Sequence, residues 1–270
     1  MTGPLEPAVA SKISVVITTR NEGRHIRHLL DSLAPQVGLY EVLLVDAESS
    51  DDTVAIAKGY ESVLPRLQIV VRRCRRGEGR NIGAAMASGD YLAFIDGDCI
   101  ANAFWLQRMM DAASGDGAVL AGQTILTGFW AFTKLHRVEL PHRGHDTTWP
   151  SCNLLYPRKL FEQVGGFDSS FVTAEDIDLN YRAVEAGAPI RHVDGAIVYA
   201  RARESIVGFL RQAYWNGYGR KQLTAKHGRL WHQYPITSLI RLHGGSFWGL
   251  LRIGWGLLGY TAAKLGRKPQ

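Results

Sequence analysis

Along the first two hundred residues, short apolar runs alternate with segments whose apolar positions recur every three or four residues. Residues 13–18 (ISVVIT) are apolar and β-branched, which predicts a strand. In 25–33 (HIRHLLDSL), Ile26, Leu29, Leu30 and Leu33 fall at helical spacing. Residues 42–45 predict a second strand ending at Asp46, and Ser49 to Thr53 supply capping residues for a short helix that stops near Gly59. A third strand is predicted over 67–71, a helix over 79–87 and a fourth strand over 91–95 (YLAFI). Further on, 179–187 predict a helix closed by Gly187 with Pro189 beyond. This order implies the α/β class: a Rossmann-like, mostly parallel sheet with helices on both faces.

In such sheets ligands bind outside the carboxyl ends of the strands. Thr18 and Thr19, Asp46, and Asp96-Gly97-Asp98 all lie at those ends. Two carboxylates separated by one glycine repel each other unless a cation sits between them. An isolated D-G-D is more often a polar turn, but three polar clusters meeting at one edge favour a divalent metal site. A metal held by one or two carboxylates, with water and phosphate completing its shell, suits nucleotide-dependent chemistry. It would neutralise a diphosphate leaving group. The run 72–80 (RRCRRGEGR) adds positive charge. Arg72 and Arg73 read equally well as a solvated loop, whereas Arg80 opens a helix aimed at the same edge.

A second acidic cluster occupies 173–178 (TAEDID). Asp178 is accounted for by the dipole of the following helix. Glu175 and Asp176 follow a Gly-Gly-Phe-Asp turn and are expected in a loop, where one of them could act as general base on an acceptor alcohol. His142 and His145 have H-x-x-H spacing, but Pro141 and Gly144 oppose a regular helix, so 129–151 is expected as a surface loop.

Composition changes the picture mainly at the two ends of the chain. Three cysteines without C-x-x-C pairing argue against a disulfide framework or zinc knuckle and point to a reducing compartment. Residues 1–11 lack a signal-peptide pattern and are expected as a loose leader. The net charge of +6 is uneven: residues 201–270 hold twelve basic residues and one acid, giving +11, whereas 1–200 sum to −5. Residues 205–223 place Ile206, Phe209, Leu210, Ala213 and Tyr214 on one face of a basic amphipathic helix. Residues 247–263 carry Arg252 as their single charge but are too short and glycine-rich for a spanning helix. The expectation is a catalytic domain over 12–204 and a helical region over 205–270. Within it, the 205–223 helix reads equally well as packed on its own domain, and 247–263 would be an interfacial anchor on an anionic membrane, with burial or self-association as the alternative; the apolar content disfavours nucleic acid. Peripheral attachment to the cytoplasmic face follows.

Four segments together resemble the family 2 glycosyltransferases. They are 14–22 (SVVITTRNE), 45–53 (VDAESSDDT), 79–98 ending in D-G-D, and 152–168 (CNLLYPRKLFEQVGGFD) followed by Glu175-Asp176. The resemblance covers about residues 12–220 and implies a GT-A fold. It also implies inverting, single-displacement transfer from a UDP- or GDP-linked sugar, assisted by Mn2+ or Mg2+. The acceptor would be a lipid-linked sugar or a cell-envelope glycan. It assigns Thr18, Thr19, Arg20, Glu22, Asp46, Arg80 and Asp96 to the nucleotide, with Asp46 on the base. Asp98 and Asp96 would hold metal and diphosphate, and Asp176 would be the general base with Glu175 beside it. One departure is Ala200, which stands where many members carry a histidine near the metal; His192 is the nearest alternative. A sugar nucleotidyltransferase would need a glycine-rich loop after the first strand, which TTRNEG does not supply. A non-catalytic scaffold would lack carboxylates that are all present here.

Overall fold

The computed structural model describes residues 12–266 apart from 39, 114, 136, 229 and 231–245. The expected leader therefore lies outside the described residues. The alternating pattern folds as β1 (Ile13–Thr19), α1 (Ile26–Leu33), β2 (Tyr40–Asp46), α2 (Thr53–Lys58), β3 (Gln68–Val71), α3 (Arg76–Met86) and β4 (Tyr91–Asp96). After β4 come the short β5 (Ile100–Ala101), α4 (Trp105–Ala112) and β6 (Val119–Thr127). One sheet of eight strands results, in the order β3-β2-β1-β4-β9-β6-β10-β5, with β9 at Leu154–Pro157 and β10 at Ile190–Arg201. Its β3-β2-β1-β4 part is parallel, as is the β6–β10 pair, while β9 runs antiparallel between β4 and β6.

Alternation along each strand feeds two cores, one on either face of the sheet. Val15, Ile17 and Leu44 pack with Ile26, Leu29, Leu30 and Leu33 of α1. Val16, Leu43, Leu92 and Phe94 pack on the opposite face with Phe161, Phe167 and Leu179. Phe161 belongs to α6 (Arg158–Gln163) and Leu179 to α7 (Glu175–Glu185). β2 is buried along its whole length, and its centre, Val42–Val45, is accordingly a continuous apolar run and not an alternating one.

Two expectations need correction here. Glu175 and Asp176 are the first two residues of α7 and not part of a loop; Ala174, at φ 65°, turns the chain into the helix. The segment 129–151 is also partly structured, with α5 (Trp130–Thr133) and a hairpin of β7 (Pro141–His142) and β8 (His145–Asp146). Within it, His142 pairs with Glu185 and stacks on Tyr181, whereas the His145 Nδ1 accepts from the Ile190 N–H. They do not form a metal pair.

The C-terminal region forms α8 (Ile206–His227) and α9 (Phe247–Lys264). Phe209 meets Trp248, Gly217 meets Gly256 and Lys221 lies over Tyr260, each pair 39 residues apart, so the two helices run parallel. A side chain at Gly217 or Gly259 would bring its Cβ within 1.8 Å of a backbone oxygen of the other helix. The contact is as close as only glycine permits. In turn α8 packs on the catalytic body, with Gly219 against Thr173 and Ala174 and the Gln222 amide oxygen accepting from the Val172 N–H at 3.1 Å. Both helices are thus packed onto the body, as the burial alternative for this region expects. No helix among the described residues is long and apolar enough to cross a membrane.

Candidate functional site

Parallel registry sets the site. Thr18 lies beside Asp96 and Thr19 beside Asp46, so β1, β2 and β4 end level with one another. Above these ends opens a cleft of about 1350 Å³. One part is lined by Thr18, Thr19, Arg20, Glu22, Asp96 and Asp98; another by Glu175, Asp176 and residues of α8 and α9.

Gly97 lets the D-G-D turn close over β1, since a Cβ there would sit 2.6 Å from the Thr19 Cγ2. The Asp98 carboxyl is half-buried, and its pKa is raised by burial and by the charge of Asp96. Glu22 is pushed up to about 7 by burial and by Asp98 and Asp96. For Asp96, burial is outweighed by Arg80 and Arg76, which hold its carboxyl below the usual range. The Glu22–Asp98 edge therefore carries more negative charge than its neighbours neutralise, which fits a divalent cation at Asp98 and Asp96. No group of three or more His, Cys, Asp or Glu able to hold a metal occurs among the described residues. The alternative ligand His192 pairs with Asp194 at 2.8 Å, stacks on Trp149 and does not line the cleft, whereas Ala200 does.

Arg80 connects the two parts. It is only 1% exposed and donates to Asp96 Oδ1 at 2.6 Å and to Glu175 Oε1 at 2.7 Å. Its guanidinium also lies 5.3 Å from the centre of the Phe167 ring. The helix begins at Arg76, so Arg80 sits in its second turn and not at its start. Instead of projecting toward the cleft, it is a buried tie between the end of β4 and the first residue of α7. Burial lowers and the flanking acids raise its proton affinity, and the acids prevail.

Beside this tie, Asp176 accepts from the Ser151 N–H at 3.2 Å and from its own helix at Ile177. Its pKa is raised, first by burial and then by the adjacent Glu175, against the opposing pull of Arg80. A carboxylate of increased basicity in a cleft can take a proton from a hydroxyl. Glu175, bonded to Arg80 and 3% exposed, is positioned to hold Arg80.

Asp46 departs from expectation. It is fully buried beneath the cleft floor, accepting from Thr19 Oγ1 at 2.9 Å and from both the N–H and the hydroxyl of Ser49. Its neighbours Ala47 and Glu48 line the cleft instead. In this arrangement Asp46 shapes the loop that a base would contact. Of the basic run, Arg73, Arg75 and Arg76 line the cleft and Arg72 does not.

Sequence reasoning passed over several lining residues. Arg203 follows β10 directly and lowers the proton affinity of Glu22, Asp96 and Asp98; its signal was the R-A-R run after Ala200. Trp215, Asn216, Arg220, Arg252 and Tyr260 come from the helical region, where no local signal marks them. The Arg252 guanidinium is pushed down to about 10 by burial and by the like charge of Arg220.

Comparison with known proteins gives the family and the fold. Residues 14–173 match the model of Glycosyl transferase family 2. Glycosyltransferase AglE of Haloferax volcanii is 30% identical over an alignment of 190 residues that covers 65% of this chain and 62% of that protein. The chain spans 53–62% of the length of the first curated relatives it matches. Among solved structures, a Pyrobaculum calidifontis mannosyltransferase in complex with GDP-Man and Mn2+ superposes with a TM-score of 0.65. It is 16% identical, with 98% of this chain and 78% of the other covered. S. aureus TarS 1-349 in complex with UDP-GlcNAc gives 0.62 at 21% identity, covering 93% and 81%. The sheet and its flanking helices are those of the GT-A fold, and the chain belongs to glycosyl transferase family 2.

Proposed function

We propose that the protein transfers a sugar from a UDP- or GDP-linked donor to an acceptor hydroxyl, with inversion at the anomeric carbon. The observation that carries this reading is the Arg80 tie. It fixes the Asp96–Asp98 edge and the Glu175–Asp176 helix start as two sides of one cleft. Thr18, Thr19, Arg20 and the Arg73–Arg76 side of the cleft would take the nucleotide and its diphosphate. Asp98, with Asp96, would hold Mn2+ or Mg2+. When bound, that cation neutralises charge developing on the departing diphosphate.

Asp176 takes the proton of the acceptor hydroxyl, and the freed oxygen bonds to the anomeric carbon. The carbon–oxygen bond to the diphosphate breaks on the opposite side, and the nucleoside diphosphate leaves with the electron pair. Ser151 N–H and the helix N-terminus keep the Asp176 carboxyl aimed into the cleft. Arg220 and Arg252 in the cleft lining suit an acceptor that carries negative charge, as a lipid-linked phosphosugar or an acidic envelope glycan does. Such an acceptor places the protein peripherally on the inner face of the cell membrane.

The donor half is tested by thermal shift with UDP-, GDP- and dTDP-sugars, with and without manganese, on wild type and Asp98→Asn. Binding to the native state raises its stability. Wild type should be stabilised by one nucleotide class only when manganese is present, and Asp98→Asn by none of them. Equal manganese-dependent stabilisation of Asp98→Asn would remove the metal assignment.

A further inference from the structure

The aromatic residues at the end of the molecule where α5, α8 and α9 begin are not used by the chemistry above. Phe132 stacks on Phe209 at 4.2 Å, and Trp248 sits edge-on to both at 5.2 and 6.2 Å. This knot joins three segments far apart in sequence. Around it, six large apolar side chains face solvent: Phe129, Trp130, Ile206, Val207, Phe247 and Leu250. Trp130, Val207 and Phe247 are 64–68% exposed. Scattered exposed apolar residues are ordinary, but a cluster around a packed aromatic centre marks a contact surface.

Charge narrows the choice of partner. The three segments forming the patch, 126–135, 202–214 and 246–256, hold Lys134, Arg203, Arg211 and Arg252 against the single acid Glu204. Lys134 Nζ lies 5.4 Å from the centre of the Trp130 ring, so cation and aromatic share one spot on the surface. Tryptophan and phenylalanine beside lysine and arginine are the residues that settle at the headgroup level of a bilayer, where an anionic surface draws the cations. The patch is also continuous with the cleft: Phe132 and Phe209 belong to the knot and line the cleft wall, together with Leu135.

We infer that this composite face, and not the α9 helix by itself, docks on an anionic lipid bilayer and brings the acceptor side of the cleft to the headgroup layer. The inference rests on the reading of a membrane-linked acceptor given above. Docking through the starts of three elements leaves α8 and α9 packed on the body, as their glycine contact requires. It also gives a lipid-linked acceptor an apolar path from bilayer to Asp176 along Phe132 and Phe209.

The test uses the full chain with vesicles of phosphatidylcholine alone and of phosphatidylcholine mixed with phosphatidylglycerol. Flotation is measured for wild type, for the triple variant Trp130→Ser/Val207→Ser/Phe247→Ser, and for Val37→Ser/Val63→Ser, which removes exposed apolar groups outside the patch. None of these residues lines the cleft. Wild type and the Val37/Val63 variant should float with the mixed vesicles and much less with phosphatidylcholine alone. The triple variant should lose about tenfold or more of that affinity, because apolar burial and lipid charge act together. High salt should weaken wild-type binding only in part. Donor hydrolysis, assayed in parallel without vesicles, should be the same for all three proteins and shows that each is folded. Flotation of the triple variant equal to wild type, or no wild-type flotation at all, overturns the docking face. So does a wild-type dimer that the triple variant disperses, since the patch would then join two copies. Normal hydrolysis in any of these cases leaves the glycosyltransferase reading standing, whereas absent hydrolysis in wild type would count against that reading instead.

Discussion

Arg80 shows how much of the site depends on one buried charge. At 1% exposure it has two carboxylates within 2.7 Å, and removing it would leave Glu175 without its ion-pair partner and Asp96 with only the charges of Arg76 and Arg203. Breaking a buried pair in this way costs about 3–5 kcal/mol. Arg80→Ala should therefore lower the free energy of unfolding by about that amount in a denaturant titration. Arg80→Lys should recover only part, since an ammonium cannot fork to both acids. A loss under about 1 kcal/mol for Arg80→Ala, the worth of a surface pair, would mean the tie is not essential. As the proposed base, Asp176 sets the expected pH dependence of turnover. Its raised pKa means that it protonates, and ceases to act as a base, at a pH above the ordinary aspartate value of about 4. Activity should fall as pH drops through that raised value. The fold itself gains from the same protonation, because a buried carboxyl with a raised pKa destabilises the native state when ionised. A kcat/KM profile with its acid limb in the ordinary aspartate range would contradict this assignment.

At the scale of elements, the α8–α9 contact is the least expected feature and the easiest to disturb. Gly259 lies against the backbone of Tyr214, so a side chain there must push the helices apart. Overpacking of this kind costs about 1–3 kcal/mol. Gly259→Val should lower the Tm and also reduce turnover on acceptor, because Arg252 and Tyr260 line the cleft from α9. Unchanged Tm and turnover would show that α9 is loosely attached after all. The same element marks a limit of sequence reading. Strands β1 to β4 were legible because each holds a short apolar run, which in β1, β2 and β4 ends in a polar residue. The pairing of α8 with α9 was not, since a register of 39 residues leaves no local periodicity. The start of α7 was misjudged because its first turn follows a left-handed alanine, whereas such turns are normally signalled by glycine or asparagine. Strand β9, four residues inserted antiparallel between β4 and β6, has a pattern too short to give its direction.

For the whole molecule, the sequence placed the polar clusters correctly at one sheet edge but could not say which side chains reach the cleft. Asp98, Glu22, Thr19 and Asp176 do; Asp46 lies under the floor and Arg80 between the walls. Burial decides these roles, and burial depends on packing partners distant in the chain. The central claim is that donor and acceptor chemistry meet in this single cleft, with Asp176 as base. Its most direct test is transfer kinetics of Asp176→Asn beside Glu175→Gln, with donor affinity measured on both. Removing a general base typically costs about 10²–10⁴-fold in rate. Asp176→Asn should lose turnover by that factor, keep its donor affinity and lose the acid limb of the pH profile. Full turnover in Asp176→Asn, with the acid limb intact, would contradict the account.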